Sequence, residues 1–179
     1  MWPGNTTDVT ALMPEIERLQ SRFGIGRFCI VADRGMISAD TLEKLDEAQL
    51  PYILGTRMRR VKKISAEILT RGGRYTQVYP HSADRDKPAP LKVKEVVHEG
   101  SRYIVCLNER QARKDAADRE AIIESLKRQL KKGPKALVGN KGYRKYLTAA
   151  RGGAFQIDES KVKRDARFDG KWVLRTDTD

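Results

Sequence analysis

Arg27-Phe28-Cys29-Ile30-Val31-Ala32-Asp33-Arg34-Gly35 is the stretch that decides the architecture of this chain. Residues 28–32 are apolar without interruption and of strand length, the pattern of a strand covered on both faces. The run stops at a polar turn, Asp33-Arg34-Gly35. Upstream, Leu12, Ile16, Leu19 and Phe23 follow the 3-4 spacing of a helix opened by Asp8 or Thr10, with Pro14 near its first turn and Gly24 as its stop. Downstream, Ser38 caps a second helix carrying Leu42 and Leu45, and after Pro51 the segment Tyr52-Ile53-Leu54-Gly55 reads as another strand. Helix, strand, helix, strand predicts a layered α/β sheet with parallel neighbours.

Beyond residue 56 the pattern changes. Residues 57–69 read as an amphipathic helix with Met58, Val61, Ile64 and Ile68 on one face and Arg57, Arg59, Arg60, Lys62 and Lys63 around the others. Residues 75–79, 91–98 and 102–107 read as an antiparallel meander. Asn108 and Gln111 have the spacing of a capping box and open a helix to about residue 132, striped by Ala112, Ala116, Ile123, Leu126 and Leu130. Its basic last turn suits a solvated helix end and DNA contact equally. Lys141, Arg144 and Lys145 alternate with Tyr143 and Tyr146, a mixture of basic and aromatic groups suited to nucleic acid. Residues 154–158 and 171–176 are two further strands, the second introduced by the turn Phe168-Asp169-Gly170.

Charge follows the same division. The chain of 179 residues holds 36 Lys or Arg and 24 Asp or Glu, a net charge of +12. Residues 1–56 contain five basic and eight acidic groups, a net −3, so everything after them carries +15. Such asymmetry points to a polyanion-binding region attached to a differently built one, although a basic surface also serves solubility. No apolar stretch approaches the roughly 20 residues of a membrane span, and no export signal opens the chain, so a cytoplasmic protein is expected. Cys29 and Cys106 each sit in an apolar run, as small buried hydrophobes rather than disulfide partners. His81 and His98 are solitary, and neither His nor Cys shows metal-ligand spacing.

Asp33 stands just past the carboxyl end of the first strand, where α/β folds place functional groups. A carboxylate there can help to hold Mg²⁺, which takes oxygen ligands and leaves positions open for phosphate. It can equally cap the next turn or pair with Arg34.

Five segments together resemble the insertion-sequence transposases of the DDE class, which have an RNase H-like core. They are Trp2-Pro3-Gly4-Asn5-Thr6-Thr7-Asp8, Ile30-Val31-Ala32-Asp33-Arg34-Gly35-Met36, Tyr52-Ile53-Leu54-Gly55, Gly139-Asn140-Lys141-Gly142-Tyr143 and Phe168-Asp169-Gly170-Lys171-Trp172-Val173-Leu174-Arg175-Thr176. They occur in the family's order and span nearly the whole chain. The resemblance implies Mg²⁺-dependent cleavage and transfer of DNA strands at transposon ends, by three carboxylates that hold two Mg²⁺ ions, in an enzyme that is a homodimer when intact. Asp33 resembles the second carboxylate. The first normally precedes the Trp-Pro-Gly-Asn segment and the third, a Glu, follows the last strand, so the resemblance implies an internal fragment that is inactive alone. It assigns residues 1–56 to part of the RNase H-like core, 57–167 to a basic mixed α+β insertion domain, and 168–179 to a strand leading back to the core. Glu120 and Glu124 then fall in the insertion rather than the catalytic set. Arg57, Arg59, Arg60, Lys62, Lys63, Lys141, Arg144 and Lys145 become the expected DNA contacts, and Trp172 a stacking platform for a base or a half-buried strand aromatic. The alternatives are a stand-alone basic nucleic-acid-binding module without catalysis and a complete small nuclease with several carboxylates around Asp33.

Overall fold

A computed structural model describes residues 8–24, 28–34, 38–79, 90–133, 143–150 and 154–178. Trp2 to Thr7, Gly35, Met36, His81 and Gly139 to Gly142, Lys141 among them, lie outside the described residues. The chain is a mixed α/β protein whose main sheet has six strands, mostly antiparallel, in the order β1-β2-β8-β5-β4-β3. It divides into two compact units, Met1–Thr76 with Lys92–Cys106 and Trp172–Asp179, and Gln77–Leu91 with Leu107–Lys171. This division by compactness differs from the division by charge at residues 56 and 167, because the strands of the meander are built largely into the first unit.

The first unit opens with α1 (Asp8–Phe23), β1 (Ile30–Ala32), α2 (Ala39–Glu47) and β2 (Tyr52–Gly55). Strands β1 and β2 are parallel, with Ile30, Val31 and Ala32 opposite Tyr52, Ile53 and Leu54. One face of this pair is buried: Ile30, Ala32, Tyr52 and Leu54 pack with Ile16 of α1 and Leu45 of α2. The other is not covered as the sequence predicts, since Val31 is 74% exposed. Cys29 is likewise exposed, because it precedes the strand instead of lying in it, whereas Cys106 is buried.

Helix α2 starts where predicted. Ser38 Oγ accepts the N–H of Thr41 at 3.0 Å. It ends in a Schellman motif, with the N–H of Leu50 on Leu45 O at 3.1 Å, the N–H of Gln49 on Asp46 O at 3.2 Å, and Gln49 at φ 51 where glycine is usual.

The segment 57–69 is not the amphipathic α-helix its periodicity predicts. It is a turn followed by a π-helix, Ile64–Ile68, with the N–H of Leu69 on Ile64 O at 3.0 Å. The apolar side still governs: Met58, Ile64 and Ile68 are buried and the basic side chains face outward. Strands β3 (Thr76–Tyr79), β4 (Leu91–His98) and β5 (Ser101–Leu107) follow. Glu99 and Gly100, both at positive φ, join β4 to β5 in the turn that matches strand twist.

In the second unit, Asn108 Oδ1 accepts the N–H of Gln111 at 3.0 Å and opens α3 (Glu109–Lys131) as predicted. Its stripe buries Leu126 with Tyr146 and Leu147, flanked by Ile122, Ile123, Leu130, Ile157 and Val162. A short 3₁₀ turn, Tyr143–Tyr146, leads into β6 (Leu147–Ala149), which pairs antiparallel with β7 (Phe155–Ile157). Helix α4 (Glu159–Ala166) is not foreseen by the apolar pattern, since Val162 is nearly its only large apolar residue; Asp158 caps it by accepting the N–H groups of Ser160 and Lys161. Strand β8 (Lys171–Thr176), last in the chain, lies between β2 and β5 in the six-stranded sheet, antiparallel to β2.

Candidate functional site

Burial of Ile30 and Ala32 fixes β1, so the chain delivers Asp33 to the carboxyl edge of the parallel pair, where it is exposed. Asp33 Oδ1 accepts the backbone N–H of Arg34 at 2.7 Å. Gly55, at the end of β2, lies against this corner. A Cβ there would sit 3.3 Å from Asp33 Oδ1 and 2.9 Å from Arg34 N, so glycine is what allows the Asp33-Arg34 turn to approach the end of β2 this closely.

The arginines are brought to the same corner. Thr56 pins the end of β2 to β8 by placing its N–H (2.9 Å) and its hydroxyl (3.0 Å) on Val173 O. The turn that follows buries Met58 and turns Arg57, Arg59 and Arg60 outward. Arg57 Nε donates to Arg34 O at 2.8 Å, tying the two loops together. Arg34, Arg57, Met58, Arg59 and Arg60 line a cleft of about 380 Å³. Four arginines lining one cleft suit a phosphate-bearing ligand, because a guanidinium is a planar fork that matches phosphate oxygens and stays charged at any ordinary pH.

The other predicted contacts do not all converge. Lys62 is exposed on the same segment, but Lys63 is paired with Glu99. In the second unit Arg144 is exposed, and Lys145 is held 2.9 Å from Asp165 and over the Tyr146 ring at 4.6 Å. Trp172 lies on β8 and is exposed at 38%, a placement that fits either of its two alternatives. Glu124 pairs with Lys127 at 2.7 Å.

Sequence patterns miss Gly55 and Arg34 as members of the site. Gly55 counts only because β2 runs beside β1, and Arg34 because Arg57 reaches it across the sheet edge. Among the described residues Asp33 belongs to no group of three acidic, His or Cys side chains. One exposed carboxylate does not hold two Mg²⁺ ions, so these residues do not by themselves form a two-metal centre. No helix among the described residues is long and apolar enough to cross a membrane. Comparison with known proteins finds no matching family model, no matching curated protein and no matching solved structure.

Proposed function

We propose that this chain is a DNA-binding part of a DDE-type transposase, with a partial RNase H-like core in its first unit. The observation that carries the proposal is the juxtaposition of Asp33, at the carboxyl end of a parallel strand, with the cleft lined by Arg34, Arg57, Arg59 and Arg60. The cleft engages backbone phosphates, and Asp33 contributes one ligand toward Mg²⁺. Strand cleavage and transfer then need carboxylates beyond those gathered at Asp33, and the chain alone binds DNA without cutting it. Glycine at position 55 lets the Asp33-Arg34 turn lie directly against the end of β2, since a Cβ there would meet Arg34 N and Asp33 Oδ1.

Binding of labelled duplex DNA across a salt series tests this. The affinity is expected to fall steeply with salt, and Arg59→Glu with Arg60→Glu to weaken binding at least tenfold and flatten the salt slope. Unchanged affinity in that double variant sinks the cleft as the DNA site. Mg²⁺-dependent nicking by the unaided chain, abolished in Asp33→Ala, would overturn the statement that further carboxylates are needed. That Asp33 belongs, among the described residues, to no group of three acidic, His or Cys side chains favours a second reading, a nucleic-acid-binding module without catalysis. In that case Asp33→Ala leaves every Mg²⁺-dependent property of the DNA complex unchanged.

A further inference from the structure

On the first unit, the fold assembles a group that the sequence scatters. Glu67 comes from the π-helix, His98 from the end of β4 and Glu99 from the turn that follows, and their ligand atoms all lie within 4.8 Å of one another. His98 is the centre. Its side chain is 11% exposed, and Nε2 points between the two glutamates, 2.6 Å from Glu67 Oε2 and 3.7 Å from Glu99 Oε1. Nε2 is buried, yet neither contact is aligned as a hydrogen bond. One buried imidazole nitrogen within reach of two carboxylates supplies the mixed nitrogen and oxygen donors that a borderline metal ion takes.

We infer that Glu67, His98 and Glu99 form a binding site for a divalent transition metal of the Zn²⁺ class, joining the π-helix to the β4–β5 turn. A tetrahedral Zn²⁺ with nitrogen and oxygen ligands at about 2.0–2.2 Å spaces them by about 3.5 Å, so small side-chain movements suffice. Three protein ligands leave a fourth position for water or an incoming group. Mg²⁺ is disfavoured, since it prefers an octahedron of oxygens to an imidazole.

Two cations oppose the ion, and they make the inference sharp. Lys63 Nζ is paired with Glu99. Arg71 Nη2 lies 3.1 Å from His98 Nδ1, and because a guanidinium only donates, Nδ1 must accept and the ring proton sits on Nε2, where the metal has to bind. A metal-ligating histidine normally donates from its second nitrogen, so Arg71 must swing aside. Both cations are outside the ligand set, and removing either should tighten binding.

The test is calorimetric titration of the tag-free full chain with Zn²⁺, with Mg²⁺ in parallel. One Zn²⁺ per chain is expected, with affinity reduced at least tenfold in His98→Ala and in Glu67→Gln and raised severalfold in Lys63→Met and in Arg71→Ala. Glu67 is on the surface, so Glu67→Gln serves if His98→Ala fails to fold. Absence of Zn²⁺ binding, or undiminished affinity in Glu67→Gln, overturns the site. Undiminished affinity in a folded His98→Ala assigns the ion elsewhere, to Cys29 or His81, and overturns it too. Equal affinity for Mg²⁺ overturns the choice of metal class.

Discussion

Asp33 and Asp169 each stand at a turn beside a strand, each with an arginine at hand and a glycine within two residues, yet the molecule uses them in opposite ways. Asp169 is 14% exposed and takes a two-pronged contact from Arg119, itself 11% exposed, while Asp115 accepts the N–H of Gly170 at 2.8 Å. The whole Phe168-Asp169-Gly170 turn is thereby clamped to the first half of α3. Asp33 is exposed, accepts one backbone N–H, and precedes Arg34, one of the four arginines that line the cleft. A buried carboxylate must be paired to exist, so its chemistry is spent on the fold; an exposed one keeps its lone pairs for a ligand.

The contrast can be broken at several points, beginning with the largest effect. Gly170 has φ 60, and a Cβ on it would stand 2.3 Å from Asn108 O and 2.6 Å from Ala112 N, both backbone atoms that cannot move aside. Gly170→Ala is expected to destabilise by more than about 4 kcal/mol, read by urea unfolding and by loss of amide protection along α3. Arg119→Ala leaves the largely buried Asp169 without its arginine and should cost about 2 kcal/mol in the same assay. A loss below about 1 kcal/mol in either variant would mean that the Asp169 corner is no more structural than the Asp33 corner.

Asp46 sits between these extremes. It accepts the Tyr52 hydroxyl at 2.8 Å and lies 3.3 Å from Arg175. Burial, then the bond to Asp46, pushes the Tyr52 phenol up to about 12. The fold therefore favours the protonated phenol. Its stabilisation is complete below the ordinary value of about 10 and is lost as the pH climbs from 10 through 12, up to about 2 kcal/mol. The difference in unfolding free energy between the native chain and Tyr52→Phe, followed across that window, measures it; a constant difference refutes it. The smallest effect belongs to Asp33→Asn, expected to change stability by less than about 0.5 kcal/mol on the same measurement. A loss like that of Arg119→Ala would show Asp33 to be structural and erase the distinction.

How much of this was legible in the sequence depended on how local the signal was. The Ser38 and Asn108 caps, the apolar stripe of α3, strand β4 and strand β8 follow from residues within a few positions of one another. The parallel pairing of β1 and β2 was also legible, since alternating helix and strand leave few other connections. Helix α4 was not, because its polar composition offers almost no stripe, and its cap alone starts it. The π-helix was not either: a 3-4 apolar spacing predicts an α-helix, and burial of Ile64 and Ile68 is satisfied by both. Of the candidate site, Asp33, Arg57, Arg59 and Arg60 were visible as types at informative positions. The pairing of Lys63 with Glu99 was not legible, because the two lie 36 positions apart.

The sequence by itself determined the α/β character of the opening residues, the surplus of positive charge that follows them, and the placing of an aspartate where a buried strand ends. Those are matters of periodicity, count and order, which a chain carries whether folded or not. Only the tertiary structure decided that Gly55 must lack a side chain, that Arg34 joins three later arginines in one cleft, that Asp169 is clamped while Asp33 stays open, and that a solitary histidine meets two glutamates. Each of these depends on which distant backbones run side by side, and burial rather than residue type then settles whether a charge supports the fold or faces a ligand.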